Sequence, residues 1–290
     1  MRRACIDIGS NTTRLLVAEM GGAGLVAVHE DRVFTRIGAA LTDEGTIPES
    51  KRIEVIEVVT RQLEAARALG AAEIRGVATA AIRGAADGAE FVQALTERTG
   101  LEVVVLSDEE EARLAFQGAA GTLAGEVPEP LGVLDVGGGS SEVVVGHAPD
   151  RIEWWRSMPI GSGSIARGHL RSDPPTESEL DAARSAVAGA LDTLDPPPVA
   201  GAVAVGGSAT SLGRVAGPRL DRSSLARSLT LLTAEPAAAT AARHGLDAER
   251  VRLLPAGILI LQALGDRLGT TVMVGRGGVR EGVLLEADGA

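Results

Sequence analysis

The chain of 290 residues has one cysteine, one lysine, no tyrosine, three phenylalanines and two tryptophans. Each shortage closes a class of function. Cys5 alone supports neither an intrachain disulfide framework nor a thiolate zinc site, which fits a reducing compartment. The four histidines, His29, His147, His169 and His244, include no pair at helical spacing, so a zincin motif is excluded. Lys51 follows no glycine-rich loop, which removes the P-loop signature and an obvious lysine nucleophile. Apolar runs such as 102–106 and 256–261 fall far below the roughly 18 to 20 residues of a membrane span, and Met1-Arg2-Arg3 leads directly into a strand pattern rather than a signal segment. The formal net charge of −11, with nearly all cations arginine, argues against nucleic-acid binding through a basic surface. The expectation is a cytoplasmic protein with no membrane or nucleic-acid partner. A polyanionic ligand stays open, but only through a local site.

What the sequence does have is apolar content, 45% of residues, enough for two cores of about 100 to 200 residues each. Residues 4–8, 15–19 and 25–30 read as an antiparallel meander of three strands. A helix fits 48–69, where Ile53, Ile56, Val59, Leu63 and Ala66 recur every three to four residues before Gly70. Strand 74–78, helix 87–99, strand 101–106 and helix 108–118 give an α/β alternation. Residues 121–130, rich in glycine and proline, read as a linker between domains 1–122 and 123–290, with the closing helix free to pack back on the first. Further on, strands fit 141–146, 152–157, 201–205 and 271–274, and helices fit from about 162, at 176–194, at 234–243 and at 255–268.

Beyond the linker the opening pattern returns. Cys5-Ile6-Asp7-Ile8-Gly9-Ser10-Asn11-Thr12-Thr13 aligns without a gap on Val133-Leu134-Asp135-Val136-Gly137-Gly138-Gly139-Ser140-Ser141, 128 positions later. A third variant, Gly206-Gly207-Ser208-Ala209-Thr210, follows strand 201–205. In such turns small side chains let backbone N–H groups approach an anion and the hydroxyls add donors. Gly9, Ser10, Asn11, Thr12, Gly137, Gly138, Gly139, Ser140, Gly207 and Ser208 are therefore candidate phosphate-binding residues. One such loop alone is readily an ordinary turn; matched copies favour phosphate. A lone Asp between apolar residues is also costly for a pure turn, because a buried carboxylate needs a partner.

Ser107 and Glu110 form a capping box, and Asp108 and Glu109 suit the first turn of a helix. Glu111 is the remaining acid, about 100° around the helix from Glu110. It fits either a solvated face or a catalytic cleft. Arg83, just after a strand, is a surface cation or a bidentate phosphate ligand. Glu142, across the glycine turn from Asp135, is an outward strand residue or the second carboxylate around one hard cation.

Asp7-Ile8-Gly9-Ser10-Asn11-Thr12-x-Arg14-Leu15, Thr79-x-x-x-Arg83, Ser107-x-x-Glu110-Glu111-Ala112-Arg113, Asp135 through Glu142, Gly206-Gly207-Ser208-x-Thr210 and Arg280-Glu281-Gly282-Val283-Leu284 stand in the order in which the exopolyphosphatase/guanosine pentaphosphate phosphohydrolase family carries them. The chain resembles that family over essentially its whole length. The resemblance implies an α/β fold of duplicated actin-like (ribonuclease H-like) domains with the active site in the interdomain cleft. It also implies release of terminal phosphate from a phosphoanhydride, dependent on Mg2+ with Mn2+ as the other candidate. By resemblance Glu111 is the base activating water, Asp135 and Glu142 serve the metal, and Arg83 with the glycine-rich loops holds phosphates. Long family members continue into further helical domains after the Arg-Glu-Gly-Val motif, whereas this chain looks like the short two-domain form.

Exopolyphosphatase is the function expected. Guanosine pentaphosphate 5′-phosphohydrolase on the same site is the nearest alternative, with an ATP-dependent kinase of the same fold and a non-catalytic nucleotide- or polyphosphate-binding sensor behind it. The expected partners are inorganic polyphosphate or guanosine pentaphosphate as substrate, with a homodimer left open.

Overall fold

The computed structural model describes residues 1–22 and 24–286. The chain opens with β1 (Arg2–Ile8), β2 (Thr13–Gly21) and β3 (Gly24–Val33), then α1 (Ile37–Ala40), α2 (Glu49–Ala68), β4 (Ala71–Ala78), α3 (Ala80–Arg83), α4 (Gly88–Thr99), β5 (Val103–Val105) and α5 (Asp108–Thr122). It continues with β6 (Leu131–Val136), β7 (Ser141–His147), β8 (Arg151–Met158), α6 (Ser162–His169), α7 (Glu177–Ala190), β9 (Gly201–Val205), α8 (Gly206–Ala216), β10 (Arg219–Leu220), α9 (Arg222–Thr233), α10 (Ala237–His244), α11 (Ala248–Leu268) and β11 (Val272–Val274). It ends on α12 (Val279–Glu286). The fold is mixed α/β in two compact units. The first comprises Met1–Thr122 with the described residues from Gly277 onward, and the second is Leu123–Arg276. The boundary read from sequence, 123–290, thus differs at α12, which belongs to the first unit.

The first unit's sheet has the order β3-β2-β1-β4-β5, antiparallel across β3-β2-β1 and parallel from β1 through β4 to β5. Strand alternation sorts its two cores. Ala4, Ile6, Ile8, Leu15 and Val17 face Val55, Val59 and Leu63 of α2 and Phe91 and Leu95 of α4. Cys5, Leu16 and Ala18 point to the opposite face, against Leu114 and Ala115 of α5 and Val279, Val283 and Leu284 of α12. The buried stripe of α2 runs through Val55, Val58, Val59, Gln62, Leu63 and Ala66, and Ile53 is 45% exposed. That corrects the apolar stripe expected from sequence, which included Ile53 and omitted Val55.

Helix α5 runs four residues past its expected stop at Gly118. That glycine serves packing rather than termination: a Cβ there would lie 1.9 Å from the carbonyl oxygen of Gly278, and one on Gly282 would lie 2.1 Å from that of Leu114. Only bare backbone lets α5 and α12 approach this closely. Full burial of Val279, Val283 and Leu284 then contributes about 1.5 to 3 kcal/mol per side chain.

The second unit's sheet has the order β10-β11-β9-β6-β7-β8. Read from β8 inward, β8-β7-β6-β9-β11 repeats the first unit's β3-β2-β1-β4-β5. Leu134, Val136, Val143 and Val145 join Leu180, Ala183, Leu254, Ile258 and Leu261 in one core. By alternation Asp135 and Glu142 project from the other face. Helix α11 begins seven residues before Pro255, the start expected from sequence, because the Asp247 carboxylate caps it by accepting from the N–H groups of Glu249 (2.8 Å) and Arg250 (3.3 Å).

Candidate active site

In the first unit the β1–β2 turn is closed by the Gly9 N–H donating to Thr12 O at 3.0 Å. Its other carbonyls are drawn back into the protein, since Ser10 O accepts from Gly38 N–H of α1 (2.8 Å) and Asn11 O from Arg36 N–H (3.0 Å). Arg36 is held at φ 50°, a left-handed backbone that a non-glycine residue adopts at some cost. Among the described residues the N–H groups of Ser10, Asn11 and Thr12 make no backbone hydrogen bond. Buried Asn11 Nδ2 and Asp7 Oδ1 likewise have no hydrogen-bond partner. Polar atoms left this way at a turn are the signature of a site that takes a polar guest.

Next to that turn lies a charged cluster. Asp7 and Arg14 are opposite one another on β1 and β2. Arg280 of α12, 5% exposed, donates from Nη1 to Leu15 O at 3.2 Å. Its neighbour Glu281 accepts from Gly278 N–H at 2.8 Å. Burial raises the Asp7 carboxyl above its ordinary value, with Arg14 and Arg280 opposing that rise. Burial also pushes Arg14 down to about 10, with the Arg280 charge adding to it and Asp7 counteracting. Cys5 is raised far above the usual thiol range by burial and then by Asp7, so it is an inert core thiol.

Glu111 is 8% exposed. Arg83 reaches it, donating from Nη1 to Glu111 Oε2 at 2.9 Å and to Leu106 O at 2.7 Å while also pairing with Asp108. Glu111 is therefore a buried carboxylate held by Arg83 and not a solvated one. Glu110 does the capping: its carboxylate accepts from Ser107 N–H and Oγ–H, both at 2.8 Å, and the Ser107 N–H bond holds its carboxyl below the ordinary value.

In the second unit the same turn is built again. Gly137 N–H donates to Ser140 O at 3.1 Å, and α6 takes up the carbonyls: Ser162 N–H donates to Gly137 O (2.9 Å), and Gly163 and Ser164 N–H to Gly138 O (both 3.0 Å). Residues 161–164, where α6 begins, are thus the support of this turn. A Cβ on Gly161 would lie 2.6 Å from the Gly138 backbone.

Asp135 and Glu142 are register partners across β6 and β7. Glu142 is 1% exposed and accepts from Ser157 Oγ–H at 2.8 Å. Gly206, at φ +81°, lies so close that a Cβ there would be 2.4 Å from Asp135 Oδ1. Paired carboxylates are the oxygen donors that a small hard cation takes alongside substrate phosphates, so the residues fit magnesium. No group of three or more His, Cys, Asp or Glu suited to a metal occurs among the described residues.

The third glycine motif is not a hairpin turn. Helix α8 starts on Gly206, and because Asp135 partners Val205 just as Asp7 partners Val77, residues 206–210 are the counterpart of 78–82. A Cβ on Gly207 would lie 2.7 Å from Nη2 of Arg250, a 5% exposed arginine in the first turn of α11. Ser208 is buried against Gly257, its hydroxyl without a hydrogen-bond partner. Arg250 escaped notice because its approach to Gly207 spans 43 residues of sequence.

A profile of the Ppx/GppA phosphatase family matches residues 16–288. Exopolyphosphatase 1 of Mycobacterium tuberculosis is 31% identical over 317 residues, covering 100% of this chain and 90% of that one. The crystal structure of the Aquifex aeolicus Ppx/GppA family member superposes with a TM-score of 0.82 at 27% identity, covering 99% and 97% of the two chains. An exopolyphosphatase from Cytophaga hutchinsonii shares the fold, with a TM-score of 0.84 at 20% identity over 100% and 99% of the chains. The architecture is the duplicated actin-like one that the motifs implied.

Proposed function

We propose, from the premise that the chain belongs to the Ppx/GppA phosphatase family, that it is an exopolyphosphatase releasing terminal orthophosphate from inorganic polyphosphate. The observation that carries the reading is the Asp135–Glu142 pair beside a turn in which the carbonyls of Gly137, Gly138 and Ser140 are engaged within the protein. Two like charges facing each other on adjacent strands, next to outward N–H groups, suit a cation and the phosphate it brings. Asp135 and Glu142 would hold magnesium, or manganese, which when bound supplies positive charge to the phosphoryl oxygens.

The protein's own groups do the remainder. Backbone N–H groups of residues 10–12 and 138–140 receive phosphate oxygens. Glu111 is the base, taking a proton from the attacking water on a carboxylate oxygen. Arg83, which engages Glu111 in the free protein, transfers its fork to a phosphate and leaves Glu111 Oε2 open to the water.

Polyphosphate is favoured over guanosine pentaphosphate because a guanine base asks for a stacking surface. The chain has no tyrosine, and both tryptophans stand on β8, with Arg156 5.3 Å from the ring centre of Trp154. The test is phosphate release with magnesium on long polyphosphate, tripolyphosphate, guanosine pentaphosphate and ATP, side by side at one salt concentration. The expected result is the highest kcat/KM on polyphosphate, weakening as salt rises. Preference for guanosine pentaphosphate would install the nucleotide reading instead, and inertness on all four with retained binding would make the protein a sensor.

A further inference from the structure

The second unit carries an arginine that the proposed reaction does not use. Arg167 lies on α6, four residues and so about one helical turn beyond Gly163. The space a Cβ on Gly163 would fill is bounded by Gly138 O at 2.8 Å and by Arg167 Nη1 at 3.3 Å. The guanidinium therefore lies on the side of α6 near the Gly138 carbonyl, and the residue stays open to solvent. Burial alone draws it below the ordinary arginine value. Among the exposed arginines of this unit, Arg151, Arg184, Arg222, Arg243 and Arg252 pair with a carboxylate, whereas others such as Arg171 and Arg214 do not among the described residues. Arg167 makes no hydrogen bond or ion pair among the described residues. A cation that is partly desolvated and yet uncompensated, beside a turn with outward N–H groups, is arranged for an anion that arrives from outside.

We propose that Arg167 is a substrate-binding residue that grips a phosphate of the polyphosphate chain beyond the one being cleaved. The proposal rests on the phosphoanhydride reading above. Glu111 and Arg83, which serve the reacting phosphoryl group in that reading, belong to the first unit, and no proton-transferring group contacts Arg167. Its contribution is therefore to binding rather than to the chemical step, and it grows with the length of chain available to grip. In a protein of net charge −11, a long polyanion must be held by local groups, arginines among them.

The test compares Arg167→Gln, Arg167→Lys and a control, Arg184→Gln, which removes one charge from the exposed face of α7. For Arg167→Gln the KM for long polyphosphate should rise about tenfold, as for loss of a charge-assisted hydrogen bond. The rise on tripolyphosphate should be smaller, Arg167→Lys should fall between, and Arg184→Gln should match wild type. An unchanged KM on long polyphosphate, or an equal loss of kcat on every substrate, overturns the proposal. Calorimetric binding of long polyphosphate to wild type and Arg167→Gln separates it from the function reading. If wild type hydrolyses no phosphoanhydride, that reading fails, while a tenfold affinity difference still upholds Arg167. Equal affinity, or no binding by wild type, sinks it.

Discussion

The two units build the same hairpin and fill it differently. Asp7 and Arg14 in the first occupy the places of Asp135 and Glu142 in the second, 128 positions later, and each pair is in register across its first two strands. In the first unit the facing charges are of opposite sign, with Arg280 beside them, while Asp7 Oδ1 and Arg14 Nε have no hydrogen-bond partner among the described residues. In the second, two carboxylates face each other, an arrangement whose mutual repulsion a bound cation would relieve. The comparison teaches that one change on a duplicated scaffold, Arg14 against Glu142, turns a pair of opposite charges into a pair of like charges.

The largest expected effect tests the first unit's share of the chemistry. Glu111→Gln should lower kcat by about 10² to 10⁴, the range for a lost general base, with melting temperature and substrate affinity retained. Glu110→Gln should act on stability alone, by about 1 kcal/mol or less, through the capping box. Reversed effects in steady-state kinetics and thermal melts would move the base to Glu110.

Next is the second unit's like-charged pair. Chelation should abolish phosphate release and added magnesium or manganese restore it, and Asp135→Asn should raise the magnesium needed for half-maximal rate by about tenfold or more. Full activity in chelator, with metal content checked by mass spectrometry, would show that the two pairs do not differ in the way argued.

A smaller effect sharpens the contrast at Gly206, whose counterpart in the first unit is Ala78. Gly206→Ala should cost about 1 to 2 kcal/mol in chemical denaturation because of the positive φ. It should also raise the magnesium requirement, since the new methyl group would collide with Asp135 Oδ1. Unchanged stability and metal response together would mean that Gly206 does not set the Asp135 position.

The smallest effect is in acid. Asp7 has a raised carboxyl value in the folded protein, so the native state holds its proton more tightly than the unfolded chain does. Its contribution is fully present below the ordinary value of 3.8 and is lost as pH rises through the folded value. Glu179 is the opposite case: backbone N–H groups of Thr176, Ser172 and Arg171 hold it at about 2, so its stabilisation is present above 4.5 and lost as pH falls toward about 2. In denaturation series across this range, Asp7→Asn should gain on wild type as pH rises and Glu179→Gln should gain as it falls. Trends of the same sign in both would contradict these assignments.

Much of the architecture was legible in the residues. The repeat from Asp7 to Asp135 marked the duplication, and period-2 and period-3.6 patterns marked the strands of both meanders and α2 and α4. Gly118 and Pro255 misled because glycine and proline carry local rules, whereas here close packing against α12 and burial within α11 override them. Glu111 stood out because capping already accounted for its three acidic neighbours. Arg167 and Arg250 carried no local signal, since what distinguishes each is a glycine distant in sequence or on the turn beneath it. Residues 206–210 read as a third variant of the glycine loop, between a strand and a helix, and the parallel pairing of β6 with β9 makes them the counterpart of 78–82 and not of the β1–β2 turn.

The glycine-mediated contact of α5 with α12 also bears on how the chain comes to be folded during its synthesis. Residues 123–276 form a continuous stretch and can collapse as soon as they clear the ribosome. The opening 122 residues must wait, because the face of their sheet that carries Cys5 and Leu16 is covered by side chains translated more than 250 codons later. Until then that face lacks the part of its cover that α12 supplies, and a chain released before Val279 would expose an apolar surface to chaperones and proteases.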